Sequence, residues 1–166
     1  QLPPRNDFVE AWDQLDDITH QVATRLQAAY AAMLHHSDVH LARLIEHLDL
    51  SGQLDNTVIM ILSDNGASQE GGPLGLVNAM GPYNGLPDPM EAKFERIDDI
   101  GGPDTHSNFP WGWAMTANTP LRRYKQNTHG GGVRDPLVVH WPRKITDPGL
   151  RDQFCHASDI VPTLLD

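Results

Sequence analysis

The sequence predicts an α/β protein, a partial mixed or parallel sheet flanked by helices, and two adjacent segments carry that reading. In the first, Val22, Leu26, Tyr30, Met33, Leu41, Leu44 and Leu48 recur at three- and four-residue steps, with small Ser37 in the one gap, which is the stripe of a long amphipathic helix. Ser51-Gly52 ends it, glycine being the usual residue just past a helix. In the second, Thr57-Val58-Ile59-Met60-Ile61-Leu62 is an unbroken apolar run, rich in β-branched residues and too short for a helix. It shows no alternation, the pattern of a strand covered on both faces inside a parallel sheet. A helix feeding such a strand through a short connection suggests α/β layers.

The other elements follow in chain order. Residues 1–13 form a Pro-bearing lead-in with Phe8, Val9 and Trp12 available for packing. Residues 66–119 are rich in Gly, Pro and Asn and far longer than an ordinary connection. Within them Asp88 and Glu91 form a capping box, Pro89 takes the first helical position and Gly101 lies past the end. Met90, Phe94 and Ile97 give that short helix its apolar face, and Trp111 and Trp113 fall in an extended stretch ending near Pro120. Leu137-Val138-Val139-His140-Trp141, between Pro136 and Pro142, is a second strand, and Ser158 is the N-cap of a helix holding Ile160, Leu164 and Leu165.

Composition narrows the classes. The net charge of −10 argues against a nucleic-acid surface, which needs clustered Lys and Arg. No stretch approaches the ~20 apolar residues of a membrane span. Cys155 is the only cysteine, so neither an intrachain disulfide nor a thiolate zinc cluster can form, and it reads as a small buried residue. The chain opens on Gln1-Leu2-Pro3-Pro4 and closes inside an amphipathic pattern, Val161 to Asp166, which reads as a piece of a larger domain.

Two segments carry chemistry. Ser63-Asp64-Asn65-Gly66 follows the apolar strand directly, where open α/β sheets bind ligands. Asp64 and Asn65 together offer the hard oxygens that Ca²⁺ or Mg²⁺ takes, and Gly66 lets the backbone turn away. The same residues also make an ordinary turn. If the ligand reading holds, both side-chain oxygens aim at one point beyond the strand. The second segment is Thr119-Pro120-Leu121-Arg122-Arg123-Tyr124-Lys125, followed by Gly130-Gly131-Gly132-Val133-Arg134. It reads either as an oxyanion cradle, with Lys125 a compact point charge, or as a basic surface loop. Three glycines in a row imply a close approach that side chains would forbid. His36, His40 and His47 share a helix side, but Ser37 stands where a zinc protease needs Glu, so they form a polar flank.

Leu54-Asp55-Asn56-Thr57, the apolar strand, Ser63-Asp64-Asn65-Gly66-Ala67, Thr119 to Lys125, Gly131-Gly132, and His156-Ala157-Ser158-Asp159-Ile160-Val161-Pro162-Thr163 together resemble, in order, the type I sulfatases of the alkaline phosphatase superfamily. The similarity is closest to the large bacterial arylsulfatases, whose inserted segment resembles Gly101-Gly102-Pro103 and Pro110-Trp111-Gly112-Trp113-Ala114-Met115. The resemblance implies a central segment, residues 1–166, of one sulfatase catalytic domain with an insert at about 66–119. It implies that Asp64 and Asn65 match the second acidic pair that binds calcium, in preference to magnesium, and that Lys125 matches the lysine contacting a small-molecule sulfate ester. His129, beside the glycine run, is a further candidate substrate contact without a matching family role. His106 and Trp111 face substrate in this reading, and His156 orders the loop before the last helix.

The family's nucleophile is a formylglycine made within Cys/Ser-x-Pro-x-Arg, a pattern that Cys155-His156-Ala157-Ser158-Asp159 does not fit. It, the first Asp-Asp pair and the catalytic histidine are therefore expected upstream of Gln1, on the remainder of a parent chain, and this segment alone is expected not to turn over. A phosphodiesterase or phosphomutase of the same superfamily is the rival enzyme class. No Asp-x-x-x-His or His-x-x-Asp pair near the glycine run supplies its second metal. A non-catalytic fragment or binding module is the rival outside enzymes, favoured for this chain by the missing nucleophile.

Overall fold

The computed structural model describes residues 2–166 and forms eight principal elements. Helix α1 (Asp17–Leu50) starts at Asp16, whose carboxylate accepts the Thr19 amide at 2.7 Å. That amide bond holds the Asp16 carboxyl below its ordinary pKa. The helix ends on Ser51-Gly52, with Gly52 at φ 68°, the left-handed conformation that favours glycine.

Full burial along the α1 stripe is confined to its first half, whereas farther along Leu41 and Leu48 are only half-buried. Val22, Ala23 and Leu26 are buried, and Val22 and Leu26 share one cluster with Val77, Ile100, Phe109, Ala114 and Tyr124. Tyr30 meets Phe109 edge-on with ring centroids 4.8 Å apart. Beyond it Met33 and Leu44 are 56% and 52% exposed. Most of α1's partners come from residues 66–119, so the segment that reads as a long loop holds much of the core. Its elements are α2 (Met80–Tyr83), α3 (Met90–Glu95) and α4 (Trp111–Ala117), with Leu76 and Asn108 exchanging a pair of backbone hydrogen bonds.

Two details of this segment differ from the sequence reading. Pro89, not Asp88, is the N-cap of α3, and no side-chain cap bond forms. Asp88 instead pairs with the buried Lys93 ammonium at 3.5 Å, five residues along, which neutralises a cation that burial would otherwise penalise. Trp111 and Trp113 are helical rather than extended. Pro110, at φ −69° and ψ 161°, is the N-cap of α4. The two indoles donate to the Gln69 and Ala23 carbonyls at 2.8 and 2.9 Å, anchoring the helix to the turn before it and to α1. In the lead-in Trp12 packs between His20 and Trp113, whereas Phe8 is exposed.

The sheet confirms two strands and corrects their setting. Strand β1 (Ile59–Leu62) pairs antiparallel with β2 (Leu137–His140), with Ile59 opposite His140 and Leu62 opposite Leu137. Trp141 lies outside the strand. The α/β class stands, but the ribbon is neither parallel nor interior: Ile61, Leu62, Leu137, Val138 and Val139 are all exposed. The physical reason is that the covered half of α1 packs on the 66–119 segment, leaving the apolar ribbon without a covering layer from this chain. Arg143 secures the ribbon's other end, its amide donating to the Asp55 carbonyl and its guanidinium to Asn56 Oδ1, both at 3.1 Å.

A short helical segment, α5 (Gly130–Val133), precedes β2, and α6 (Ile160–Leu165) closes the described chain. The N-cap of α6 is Asp159, not Ser158. His156 caps the 3-10 turn before it, accepting the Ser158 amide while Asp159 accepts the His156 amide at 2.8 Å, so His156 does order this loop. Cys155 is exposed rather than buried, because the connection on which it lies runs over the surface beside Phe154, itself 92% exposed. Among the described residues no helix is long and apolar enough to cross a membrane.

Because Leu26 is 2% exposed and Leu44 mostly open, Leu26→Ala should lower the chain's unfolding free energy by about 2–5 kcal/mol and Leu44→Ala by less than about 0.5 kcal/mol. Urea titrations followed by far-ultraviolet circular dichroism measure the difference.

Candidate functional site

The site is built where β1 ends. Ser63 Oγ donates to the Asn65 carbonyl at 2.7 Å and tightens the turn. The Asn65 side-chain amide donates to the Asp64 carboxylate, so the two side chains converge just past the strand's carboxyl end. A half-turn of that amide presents its oxygen in place of its nitrogen. Asp64 is exposed and Asn65 half-buried.

The turn is locked to the basic loop through backbone. The Lys125 amide donates to the Ala67 carbonyl at 3.1 Å, and the Gly66 amide to the Gly132 carbonyl at 3.4 Å. Asn118 bridges both loops: its Oδ1 accepts the Ala67 amide at 3.2 Å and its Nδ2 donates to the Arg123 carbonyl at 3.0 Å. The Gly131 amide reaches the Arg122 carbonyl at 2.7 Å. No side chain fits in this packing. A Cβ on Gly66 would lie 1.7 Å from the Gly131 oxygen, one on Gly131 2.0 Å from the Arg123 oxygen, and one on Gly132 2.1 Å from the Asn127 oxygen. The close approach that the glycine run implied is therefore present: Gly131 and Gly132 pack on the backbone of Arg122 to Asn127 in their own loop, and Gly66 of the turn packs on Gly131.

Lys125 sits between Arg123 and Gln126, both non-glycine residues in the left-handed region, at φ 67° and 69°. Such conformations persist only where surrounding structure imposes them, and they gather at functional sites. The half-buried Lys125 ammonium contacts Glu70 Oε1 at 2.7 Å. Its pKa is raised, first by that hydrogen bond and further by the charges of Glu70 and Asp64. Glu70 is lowered, chiefly by Lys125 and then by the Ser68 hydroxyl. Asp135 is raised by burial and then by Asp64. The sign follows: the Glu70 contribution to stability is full above the ordinary glutamate value and lost as pH falls through its depressed folded value. The Lys125 contribution is full below the ordinary lysine value and lost as pH rises through its elevated folded value. Between those limits the pair is intact.

His129 occupies the N-cap position of α5 on this loop and is exposed, with its carbonyl accepting the Gly132 amide at 2.8 Å. Trp111 is half-buried, its indole N–H donating to the Gln69 carbonyl and its ring packing toward buried Tyr124, centroids 6.5 Å apart. His106 is exposed, and its carbonyl accepts the Ala79 amide. Sequence reasoning missed Glu70, Asn118 and Asp135. All three are single polar residues whose partners are distant in sequence, and no spacing rule links them.

The donor set fits part of a hard-cation shell. Asp64 and Asn65 supply oxygens of the right type, and a calcium ion takes six to eight. Among the described residues no group of three or more His, Cys, Asp or Glu stands together to complete it.

Together these features define an α/β protein with a carboxylate–amide pair and an anchored ammonium at one strand end. The sulfatase family model matches residues 3–166, and the chain belongs to the sulfatase family. It is 31% identical over 160 residues to an uncharacterized sulfatase of Schizosaccharomyces pombe, covering 95% of this chain and 27% of that protein. It is 26% identical over 165 residues to an arylsulfatase of Klebsiella aerogenes, covering 98% and 34%. With the uncharacterized sulfatase YdeN of Escherichia coli it shares 29% over 153 residues, 91% of this chain and 20% of the relative. The chain thus spans between 20% and 34% of the length of these relatives.

Gly66→Ala should separate the two loops, since its Cβ would meet the Gly131 backbone rather than a yielding side chain. Amide hydrogen exchange is the direct readout: the Lys125 N–H, protected by Ala67 in the native chain, should lose protection, with a stability loss of about 1–3 kcal/mol.

Proposed function

We propose that this chain supplies one half of the metal and sulfate site of a sulfate ester hydrolase of the arylsulfatase type. In this reading Asp64 and Asn65 are calcium ligands, Lys125 contacts the sulfate group, and His129 is a second contact on the same loop. The nucleophile, a formylglycine hydrate, belongs to the remainder of a longer parent chain. Support comes from one observation above all: the Lys125 amide is bonded to Ala67, two residues beyond Asn65, in a backbone packing that only glycine at 66, 131 and 132 permits. Membership of the sulfatase family and similarity to a protein named arylsulfatase point the same way.

The chemistry of the residues agrees. A sulfate ester is an anion attacked by an electron-rich oxygen, so its site must offset charge building on the sulfate oxygens. Calcium, when bound, polarises such an oxygen as a Lewis acid. Lys125 carries three N–H donors, one directed to Glu70, which leaves two for sulfate oxygens. A lysine is cationic throughout the neutral range, and the Glu70 hydrogen bond favours that form further.

Three measurements test the reading. In the full-length protein, Lys125→Ala should lower kcat/KM for 4-nitrophenyl sulfate by roughly 10²–10³ while leaving the melting temperature nearly unchanged. Lys125→Arg should not restore it, because the wider planar guanidinium misplaces the donors. Near-normal turnover of either variant would refute the assignment. By calorimetry the isolated chain should bind Ca²⁺ weakly or not at all, whereas submicromolar affinity would show that the site is complete without further residues.

A further inference from the structure

Resting on the assignment of Lys125 as the sulfate contact, we infer that Glu70 is a positioning residue that fixes the Lys125 ammonium and sets its net pull on the substrate anion. A lysine stem has four rotatable carbons, and an unheld ammonium visits many positions of which few are productive. Here it is held. Glu70 Oε1 takes one donor at 2.7 Å, and the other carboxylate oxygen is fixed by the Ser68 hydroxyl. A second rung lies alongside, Gln69 Nε2 donating to Gln126 Oε1 at 2.6 Å, so consecutive residues of one segment grip consecutive residues of the other. The segment carrying Glu70 is itself pinned: Trp111 donates its indole N–H to the Gln69 carbonyl at 2.8 Å and its backbone N–H to the Gly72 carbonyl at 2.9 Å. The ordered Trp111–Ala117 helix thereby sets where the lysine head sits.

The carboxylate has two opposed effects. Its geometry holds the ammonium in place for the transition state, while its charge offsets the cation that draws in the anionic substrate. Removing the charge alone should therefore separate binding from turnover, which loss of a purely structural contact would not do.

The experiment uses the full-length enzyme with 4-nitrophenyl sulfate, and titration with inorganic sulfate as a binding probe. Glu70→Gln, which keeps the side chain's size, should lower kcat about ten-fold while KM and the sulfate dissociation constant hold or fall. Glu70→Ala should lower kcat further. In a Lys125→Ala background neither change should reduce kcat again, since Glu70 acts through that lysine. If Glu70→Ala fails to fold, Glu70→Gln carries the test alone. Turnover within two-fold of wild type for Glu70→Gln, or an equal loss with and without Lys125, overturns this inference and leaves the lysine assignment standing. A silent Lys125→Ala overturns both.

Discussion

The arrangement of this chain depends on one backbone-to-backbone packing, where the turn after β1 lies against the loop that precedes β2. At Gly66, Gly131 and Gly132 the space that a Cβ would fill is already taken by another residue's carbonyl, an approach any side chain would destroy. Because the Lys125–Ala67 and Gly66–Gly132 bonds run through main-chain atoms, the backbone at Asp64, Asn65 and Lys125 is placed without relying on flexible side chains. Asn118 adds a side-chain bridge, accepting from one loop and donating to the other. The β1–β2 pairing then begins at Leu62 opposite Leu137, directly beyond this junction. Register and site are thus set by the same contact.

The hydrophobic core serves that junction from the side. Tyr124, adjacent to Lys125, is buried in the cluster with Val22, Leu26, Val77, Ile100, Phe109 and Ala114. The loop bearing the lysine is anchored to α1 through a residue of its own sequence, and the 66–119 segment lies between them as a packed layer. Its glycines and prolines resemble those of a loop, yet Val77, Ala79, Ile100 and Phe109 are among the most buried residues of the chain.

What could be read in advance follows from how far each signal reaches. Helix α1 and both strands were legible because periodicity and β-branched runs are local. The glycine run was legible as a close approach, although its partner was not, since nothing in a glycine names what it touches. The ribbon's antiparallel pairing and exposed faces were misread because an apolar run records the burial a strand is suited to, not the cover one chain provides. Trp111 and Trp113 were misread for a different reason: two indoles two residues apart imitate the alternation of an extended chain, and their helix is favoured by anchors at Gln69 and Ala23 that only tertiary structure supplies. Glu70 was invisible for want of any local mark, its meaning residing wholly in a partner on another loop.

The bare ribbon has a practical consequence for the chain in solution. Leu137-Val138-Val139-His140 and Ile59-Met60-Ile61-Leu62 are short, uncharged, β-prone stretches, exposed except at half-buried Ile59 and Met60, and among the described residues neither strand's outer edge is paired. Two-stranded ribbons are marginal in water, and edges of this composition recruit further strands. Handled at high concentration, the segment should be limited by colloidal behaviour before it is limited by unfolding. A lysine placed outward on β2, at Val138, would act as a gatekeeper against stacking without touching the loops that carry the chemistry.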